Sequence, residues 1–275
     1  LNFLFFLSFR TVIVYFFMSK TILNNLANKL VAAFLKNKII DPIPKKYTKK
    51  LSEAQKLRKL CESKIKKPIA GFKAAGTGIP VLKKLKEKEP FYATVFKHNV
   101  LQNMKSVKIN KFTMGIELEV CYLIKKSFFD FKKNITKNNM NKFISHIAPC
   151  IEIVGYRQRK KGIKSLGDLC SDFGANVKFI LGTKKKFKNN KIKNLKTNIS
   201  NKKINQSVDG NTNTVYINPM NSLRFVLSKL QKDKIILKED FYVFTGSSVG
   251  VVPILGKGMY KGTISKIGTV SSKIN

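Results

Sequence analysis

The sequence predicts an α+β fold in one domain, a helical N-terminal stretch packed on a β-rich body, and three observations carry that prediction. A helical period starts at Ser19; strict apolar/polar alternation occupies 114–124; short apolar runs broken by Gly-containing turns continue to the C terminus without an internal repeat or a Pro/Ser-rich linker. With 275 residues, 43% hydrophobic and 11% aromatic, the chain is able to bury a core and is not of disordered composition.

Residues 1–17, LNFLFFLSFRTVIVYFF, are apolar but interrupted by Arg10, and they lack a basic head and a small-residue cleavage site. They also fall short of the about 20 residues of a spanning helix. They are expected to be a non-native extension upstream of a start at Met18, leaving a domain over 18–275 that is helical over 18–67 and β-rich over 68–275. The first helix carries Leu23, Leu26, Leu30 and Phe34 on one face and stops at Asp41-Pro42 with Pro44. A second opens at Ser52-Glu53, is lined by Leu57, Leu60 and Cys61, and ends at Lys66-Lys67-Pro68.

The stretch 69–77 reads as a short strand entering a Gly-containing turn. In MGIELEVCYLI (114–124), Ile116, Leu118 and Val120 alternate with Glu117, Glu119 and Cys121, the period of a half-buried strand. A helix over 138–147 leads into a strand over 150–156, and a short helix near 165–170 precedes a strand over 177–181. The Lys/Asn-rich stretch 183–207 reads either as a solvated hairpin or as a partly disordered insertion. Asn218-Pro219 opens a helix with Leu223, Val226, Leu227 and Leu230 on one side. Residues 240–254 then give a strand, a Gly/Ser turn and another strand, and a hairpin of 262–267 with 271–274 closes the chain.

The formal net charge of +39, from 54 Lys+Arg against 15 Asp+Glu, points first to nucleic acid or an anionic membrane. The excess is nearly all Lys, spread along the whole chain, and comes with abundant Asn, Ile and Phe and no Trp, the set that AT-rich codons favour. Neither a nucleic-acid nor a membrane partner is therefore expected, and a basic nucleic-acid-binding protein stands as the alternative of a different class. Cys61, Cys121, Cys150 and Cys170 form no CxxC pair, so reduced thiols and a cytoplasmic location are expected. With only His98 and His146, a three-histidine metal site is excluded, and neither stands in a nucleophile-elbow context.

Glu117 and Glu119 are the sharpest chemical signal, because residues two apart on a strand project from one face. The repulsion between them is relieved if both bind a hard divalent cation such as Mg²⁺ or Mn²⁺. Glu152, flanked by Ile151 and Ile153, has the same character, and three carboxylates from neighbouring strands would leave coordination positions for a 2-oxo acid. Spacing alone leaves open a polar strand face bridged to lysines.

Six stretches, GFKAAGTG (71–78), GIELEVCYLI (115–124), APCIEIVGYR (148–157), DFGANVKFILG (172–182), NPMNSLRFVLSKL (218–230) and EDFYVFTGSSVGVVPI (239–254), carry a resemblance. In their order and spacing the chain resembles the 2-keto-4-pentenoate hydratase / 4-oxalocrotonate decarboxylase family of the fumarylacetoacetate hydrolase superfamily, over about residues 19–274. The resemblance implies a fumarylacetoacetase C-terminal-like mixed β-sheet roll with N-terminal helices, Mg²⁺ or Mn²⁺ on Glu117, Glu119 and Glu152, and an active-site lysine at Lys73. It places Thr245, Gly246 and Ser247 in a turn along the substrate carboxylate, with Asp172 closing the site, although Asp172 before Gly174 equally suits an N-cap or turn role. The implied protein is a homo-oligomeric lyase that adds water to a 2-hydroxy-2,4-dienoate or its 2-oxo tautomer, giving a 4-hydroxy-2-oxo acid. Decarboxylation of a 2-oxo dioate and hydrolysis of an acylpyruvate are the alternatives within the family.

The chain also departs from that pattern. Where members tend to read E-I-V-D-S-R it has Glu152-Ile153-Val154-Gly155-Tyr156-Arg157, and Lys97-His98 stand where an acidic pair is common after Glu89-Pro90. Phe173 replaces an Asn after Asp172, and Asn218 replaces a His before Pro219. These changes spare the expected ligands and alter the groups around them.

Overall fold

A computed structural model describes residues 21–275 except 159, 161 and 189–191; the reading of residues 1–17 lies outside them. Helix α1 spans residues 21–36 and α2 spans Leu51–Lys64. Their apolar faces meet through Ala27, Leu30 and Phe34 on one side and Leu57 and Cys61 on the other, and the pair closes on Phe96 and Phe173. Burying each large side chain of this kind is worth about 1.5–3 kcal/mol, which fixes the helices on the β body.

The β body begins with β1 (Ile69–Ala75), the short α3 (Ile79–Lys84), β2 (Phe91–Phe96), β3 (Val100–Gln102) and β4 (Ser106–Val107). The long strands β5 (Thr113–Ile124) and β6 (Ile144–Gly155) follow, then α4 (Leu166–Ser171), β7 (Asn176–Leu181) and β8 (Lys185–Lys186). The chain ends with β9 (Lys196–Asn201), β10 (Gln206–Asn211), α5 (Pro219–Lys232), β11 (Phe241–Ser247), β12 (Gly258–Ile264) and β13 (Gly268–Ile274). Among the described residues the strands form two mixed sheets, ordered β2-β1-β11-β5-β6-β7-β3 with β8 on β6, and β10-β9-β12-β13-β4.

Strand β5 is buried on both faces rather than one, which corrects the half-buried reading. Ile116, Leu118 and Val120 join Ile151 and Ile153 in the main core, covered by Leu223, Val226 and Leu230 of α5 and by Tyr260, Ile264 and Val270 of the second sheet. The opposite face carries Cys121, Cys150, Phe179 and Phe244 in a smaller cluster, together with the carboxylates. The alternation thus separates two buried environments, and only one of them is apolar throughout.

Local signals set the helix ends. Asn218 accepts a hydrogen bond from the Asn221 amide at 3.0 Å and Pro219 occupies the first turn of α5, so the residue that replaces a histidine serves as a cap. Ser165 and Asp168 form a reciprocal capping box at the start of α4.

Three boundaries differ from the sequence reading. The helix expected at 138–147 is a single 3-10 turn over Met140–Phe143, and β6 already begins at Ile144, because continuous pairing with β5 overrides local preference. The second strand expected before residue 254 is one bridge between Val252 and Ile116; Pro253 has no N–H to extend it, and Gly250 turns the chain at φ 73°. The last hairpin is longer than expected and turns through Lys266 and Gly268. Among the described residues of 183–207, a hairpin forms from residue 196 on and runs to residue 211: β9 pairs with β10, and Thr197, Ile199 and Asn201 alternate inward. All four cysteines are buried and unpaired, and no helix among the described residues is long and apolar enough to cross a membrane.

Candidate metal centre

Register brings the three carboxylates together. In the antiparallel pairing of β5 with β6, Glu117 lies opposite Glu152 and Glu119 opposite Cys150, so all three glutamates leave one face of the sheet. Each offers an oxygen, and these oxygens lie within 4.8 Å of one another. Glu119 and Glu152 are fully buried, while Glu117 is partly exposed and reaches a cavity.

Lys73, 2% exposed on β1, supplies the facing cation: its Nζ donates to Glu152 Oε1 at 2.5 Å and to the Gly174 carbonyl at 3.1 Å. Burial disfavours the ammonium, but Glu152, Glu117 and Glu119 outweigh that and raise its pKa. Burial also drives the carboxyls up, Glu117 and Glu119 to about 7 and Glu152 well above its ordinary range. Neither oxygen of Glu119 nor Oε2 of Glu152 receives a hydrogen bond from an N–H or hydroxyl; Glu119 and Glu152 lie within hydrogen-bonding reach of each other. The Gly246 N–H lies near enough to Glu119 to lower its pKa without meeting bonding geometry.

Unpartnered buried carboxylate oxygens are costly, and a hard divalent cation is the group that satisfies them. Charge gives the same answer: three carboxylates and one ammonium leave two negative charges, which a divalent ion cancels. The donor set therefore fits Mg²⁺ or Mn²⁺, whereas soft metals would draw on thiolates or imidazoles.

The raised carboxyls make metal-free stability depend on pH. Their contribution is complete below the ordinary carboxyl value of 4.5 and is lost as pH rises through about 7. A divalent cation reverses that loss. Saturating Mn²⁺ is expected to raise the thermal midpoint by about 5–15 °C at about pH 8 and by clearly less at about pH 5.5. Equal shifts at both pH values in a thermal scan would contradict the assignment of these groups as ligands.

The cavity over the glutamates has a volume of about 440 Å³, within the range of small-molecule sites. Lys73 and Glu117 stand in its wall with Gly76, Gly174, Gly246 and Ser247. Gly246 is at φ 101°, and a Cβ there would stand 2.0 Å from Thr77 Oγ1, so only glycine lets the two turns meet at the cavity.

Two expected site residues do not line it. Thr245 donates its hydroxyl to the Val120 carbonyl at 2.8 Å and accepts at its own carbonyl from Ser222 at 2.7 Å, so it pins the turn from below. Asp172 is fully buried: one oxygen accepts from the Arg157 amide at 2.5 Å and the other from its guanidinium at 3.0 Å. It carries a left-handed turn in which Phe173, Gly174 and Ala175 have φ of 54°, 71° and 62° and whose Gly174 carbonyl meets Lys73. Ser247 does line the cavity, its hydroxyl bonded to the Gly250 carbonyl at 2.7 Å.

The substituted positions have local explanations. A Cβ at Gly155 would lie 2.7 Å from the Phe112 ring, so no larger residue fits there. His98 stacks on Phe96 and abuts Phe34, away from the cavity, and Lys97 forms an exposed ion pair with Glu239. Sequence reasoning missed Arg157; the turn role that Asp172 before Gly174 left open is the one the structure shows.

Comparison with solved structures identifies the fold. The structure matches 4-oxalocrotonate decarboxylase from Pseudomonas putida G7, complexed with magnesium and adipate, at TM-score 0.81 and 15% identity, over 93% of this chain and 98% of that one. It matches 5-carboxymethyl-2-hydroxymuconate delta-isomerase from Mycobacterium smegmatis at 0.54 and 13%, over 76% and 81%. A fumarylacetoacetate hydrolase family protein from Yersinia pestis CO92 matches at 0.55 and 15%, over 76% and 94%. The chain therefore has the fumarylacetoacetate hydrolase fold, as the resemblance implied. No protein-family model matches the sequence, and no curated protein matches it.

Proposed function

We propose that the protein is a divalent-metal-dependent lyase of the 2-keto-4-pentenoate hydratase / 4-oxalocrotonate decarboxylase type, adding water to a 2-hydroxy-2,4-dienoate or its 2-oxo tautomer. The observation that carries this reading is the buried set of three glutamates facing one lysine beneath a cavity. Glu117, Glu119 and Glu152 would hold Mg²⁺ or Mn²⁺, which when bound supplies Lewis-acid stabilisation of negative charge developing on the substrate's 2-oxygen.

The chain's own residues do the rest. Lys73 uses two of its three donors on Glu152 and Gly174, which aims the ammonium and leaves one donor for the substrate. Its proton is available for delivery to the carbon skeleton as the 2-oxo form is made, and the same nitrogen takes a proton back in the reverse sense. Glycines at the cavity wall admit a carboxylate close to the backbone.

Decarboxylation of a 2-oxo dioate is the second reading, favoured by the 0.81 match to a decarboxylase. Both reactions use the same ligands and the same lysine.

The test titrates Mn²⁺ and then oxalate into wild-type protein and Lys73→Met by calorimetry, followed by turnover of 2-hydroxy-2,4-pentadienoate. Both proteins should bind the cation and then oxalate, while Lys73→Met loses about 10²–10⁴-fold in turnover, the range for an acid–base group. Folded wild-type protein that takes up no divalent cation would end this reading; carbon dioxide release from a 2-oxo dioate without turnover of the dienoate would select the decarboxylase.

A further inference from the structure

We infer that the cavity takes a 2-oxo acid whose distal end is an uncharged hydrocarbon tail, read by Val81, Ile163 and Val251 at its mouth; the inference rests on the metal-centre reading above. Large apolar side chains in contact with water mark ligand surfaces when they converge. Val81, Ile163 and Val251 are 44%, 37% and 47% exposed, and all three line this cavity.

They come from separate places in the fold. Val81 belongs to α3, Ile163 to the loop before α4, and Val251 to the segment after β11. Leu85, Met114 and Val154 line the same cavity as Glu117. A tail leaving the carboxylate end would pass over apolar surface to the mouth and cover the three exposed residues.

A distal carboxylate has little to meet along that path. Of the described cationic groups lining the cavity, Lys73 sits at the carboxylate end with two of its three donors on Glu152 and Gly174, and Lys84 is exposed. A charge drawn into an apolar wall without a partner is penalised, whereas each methylene placed there gains. This separates the two reactions left together above, because the decarboxylase substrate is a dioate and the hydratase substrate is not.

The experiment is calorimetry on Mn²⁺-loaded protein with oxalate, 2-oxobutanoate, 2-oxohexanoate, 2-oxooctanoate and 2-oxoadipate. Affinity should rise about fourfold per methylene along the monoacids. 2-Oxoadipate should bind at least about tenfold more weakly than 2-oxohexanoate, which has the same carbon count. Val81→Arg, a change at an exposed position, should narrow or reverse that gap by giving the distal carboxylate a partner.

Oxalate binding with a flat monoacid series, or 2-oxoadipate binding as tightly as 2-oxohexanoate, would overturn the tail assignment and leave the metal centre standing. An unchanged gap in Val81→Arg would also overturn it. Failure of oxalate itself to bind the Mn²⁺-loaded protein would remove the metal-centre reading and this inference with it.

Discussion

Glu119→Gln is expected to abolish divalent-cation binding and, at about pH 8, to make the metal-free protein more stable by about 1–3 kcal/mol. Both effects follow from one geometry. The Glu119 carboxylate is fully buried, receives no hydrogen bond from an N–H or hydroxyl, and is pushed by burial up to about 7. Above that pH the folded chain holds a desolvated negative charge that the unfolded chain would solvate freely. Glutamine has the same shape, carries no charge, and brings two N–H donors beside the Glu117 and Glu152 carboxylates.

The gain should vanish at about pH 5, where Glu119 is protonated in the folded protein and burial costs it no charge. Cation affinity should fall by more than the about 10–100-fold lost when a partner supporting a ligand is removed. Urea denaturation with chelator at both pH values, beside a Mn²⁺ titration, reads both quantities. A variant that binds Mn²⁺ like wild type, or is less stable at high pH without metal, would refute the role given to Glu119. The outcome expected is the trade of stability for chemistry that functional sites show.

Arg157→Met is expected to cost about 3–5 kcal/mol, a large share of the about 5–15 kcal/mol that holds a domain folded. Arg157 is 1% exposed; it donates to Asp172 and, at 3.1 Å, to the Asn176 carbonyl, and its guanidinium lies over the rings of Phe34 and Phe112 at 5.0 and 4.9 Å. Removing it strands Asp172, whose carboxyl burial already pushes up, and releases the left-handed turn at Phe173–Ala175. Positive φ at Phe173 and Ala175 is unfavourable without such anchorage. The loss should be smaller at low pH, where a stranded Asp172 is neutral.

Replacing both partners by apolar residues, Arg157→Met with Asp172→Leu, should recover much of the stability but not the placement of the Gly174 carbonyl on Lys73. Chemical denaturation of the two single variants and the double variant closes the cycle. A single-variant loss below about 1 kcal/mol would show that the pair is not what holds the turn.

Short-range pattern made much of this legible. The alternation of β5 located two ligands, and Asn218-Pro219 located α5, because side-chain periodicity and helix capping are local properties. The pairing of Glu117 with Glu152 depends on register between strands separated by about twenty residues of irregular chain, so spacing alone could place Glu152 nearby but not opposite. Arg157 was passed over because a single arginine in a basic chain has no distinguishing neighbourhood until the fold supplies Asp172 and two rings. Residues 138–147 misled for the converse reason: a locally helical pattern was outweighed by pairing with β5, the strand that precedes them.

The placement of a buried acidic centre inside so basic a chain sets the order and speed of events at it. Net charge is +39, and of the three carboxylates only Glu117 reaches the cavity, while Glu119 and Glu152 are buried. If the proposed centre takes up a divalent ion, the ion approaching from solvent is repelled until it enters, so loading is expected to be slowest at low ionic strength and to quicken as salt shortens the reach of the field toward about 10 Å. An anionic substrate meets the opposite gradient and is gathered toward the mouth most strongly when salt is low. On the proposed function, metal uptake and substrate capture would respond to ionic strength with opposite signs.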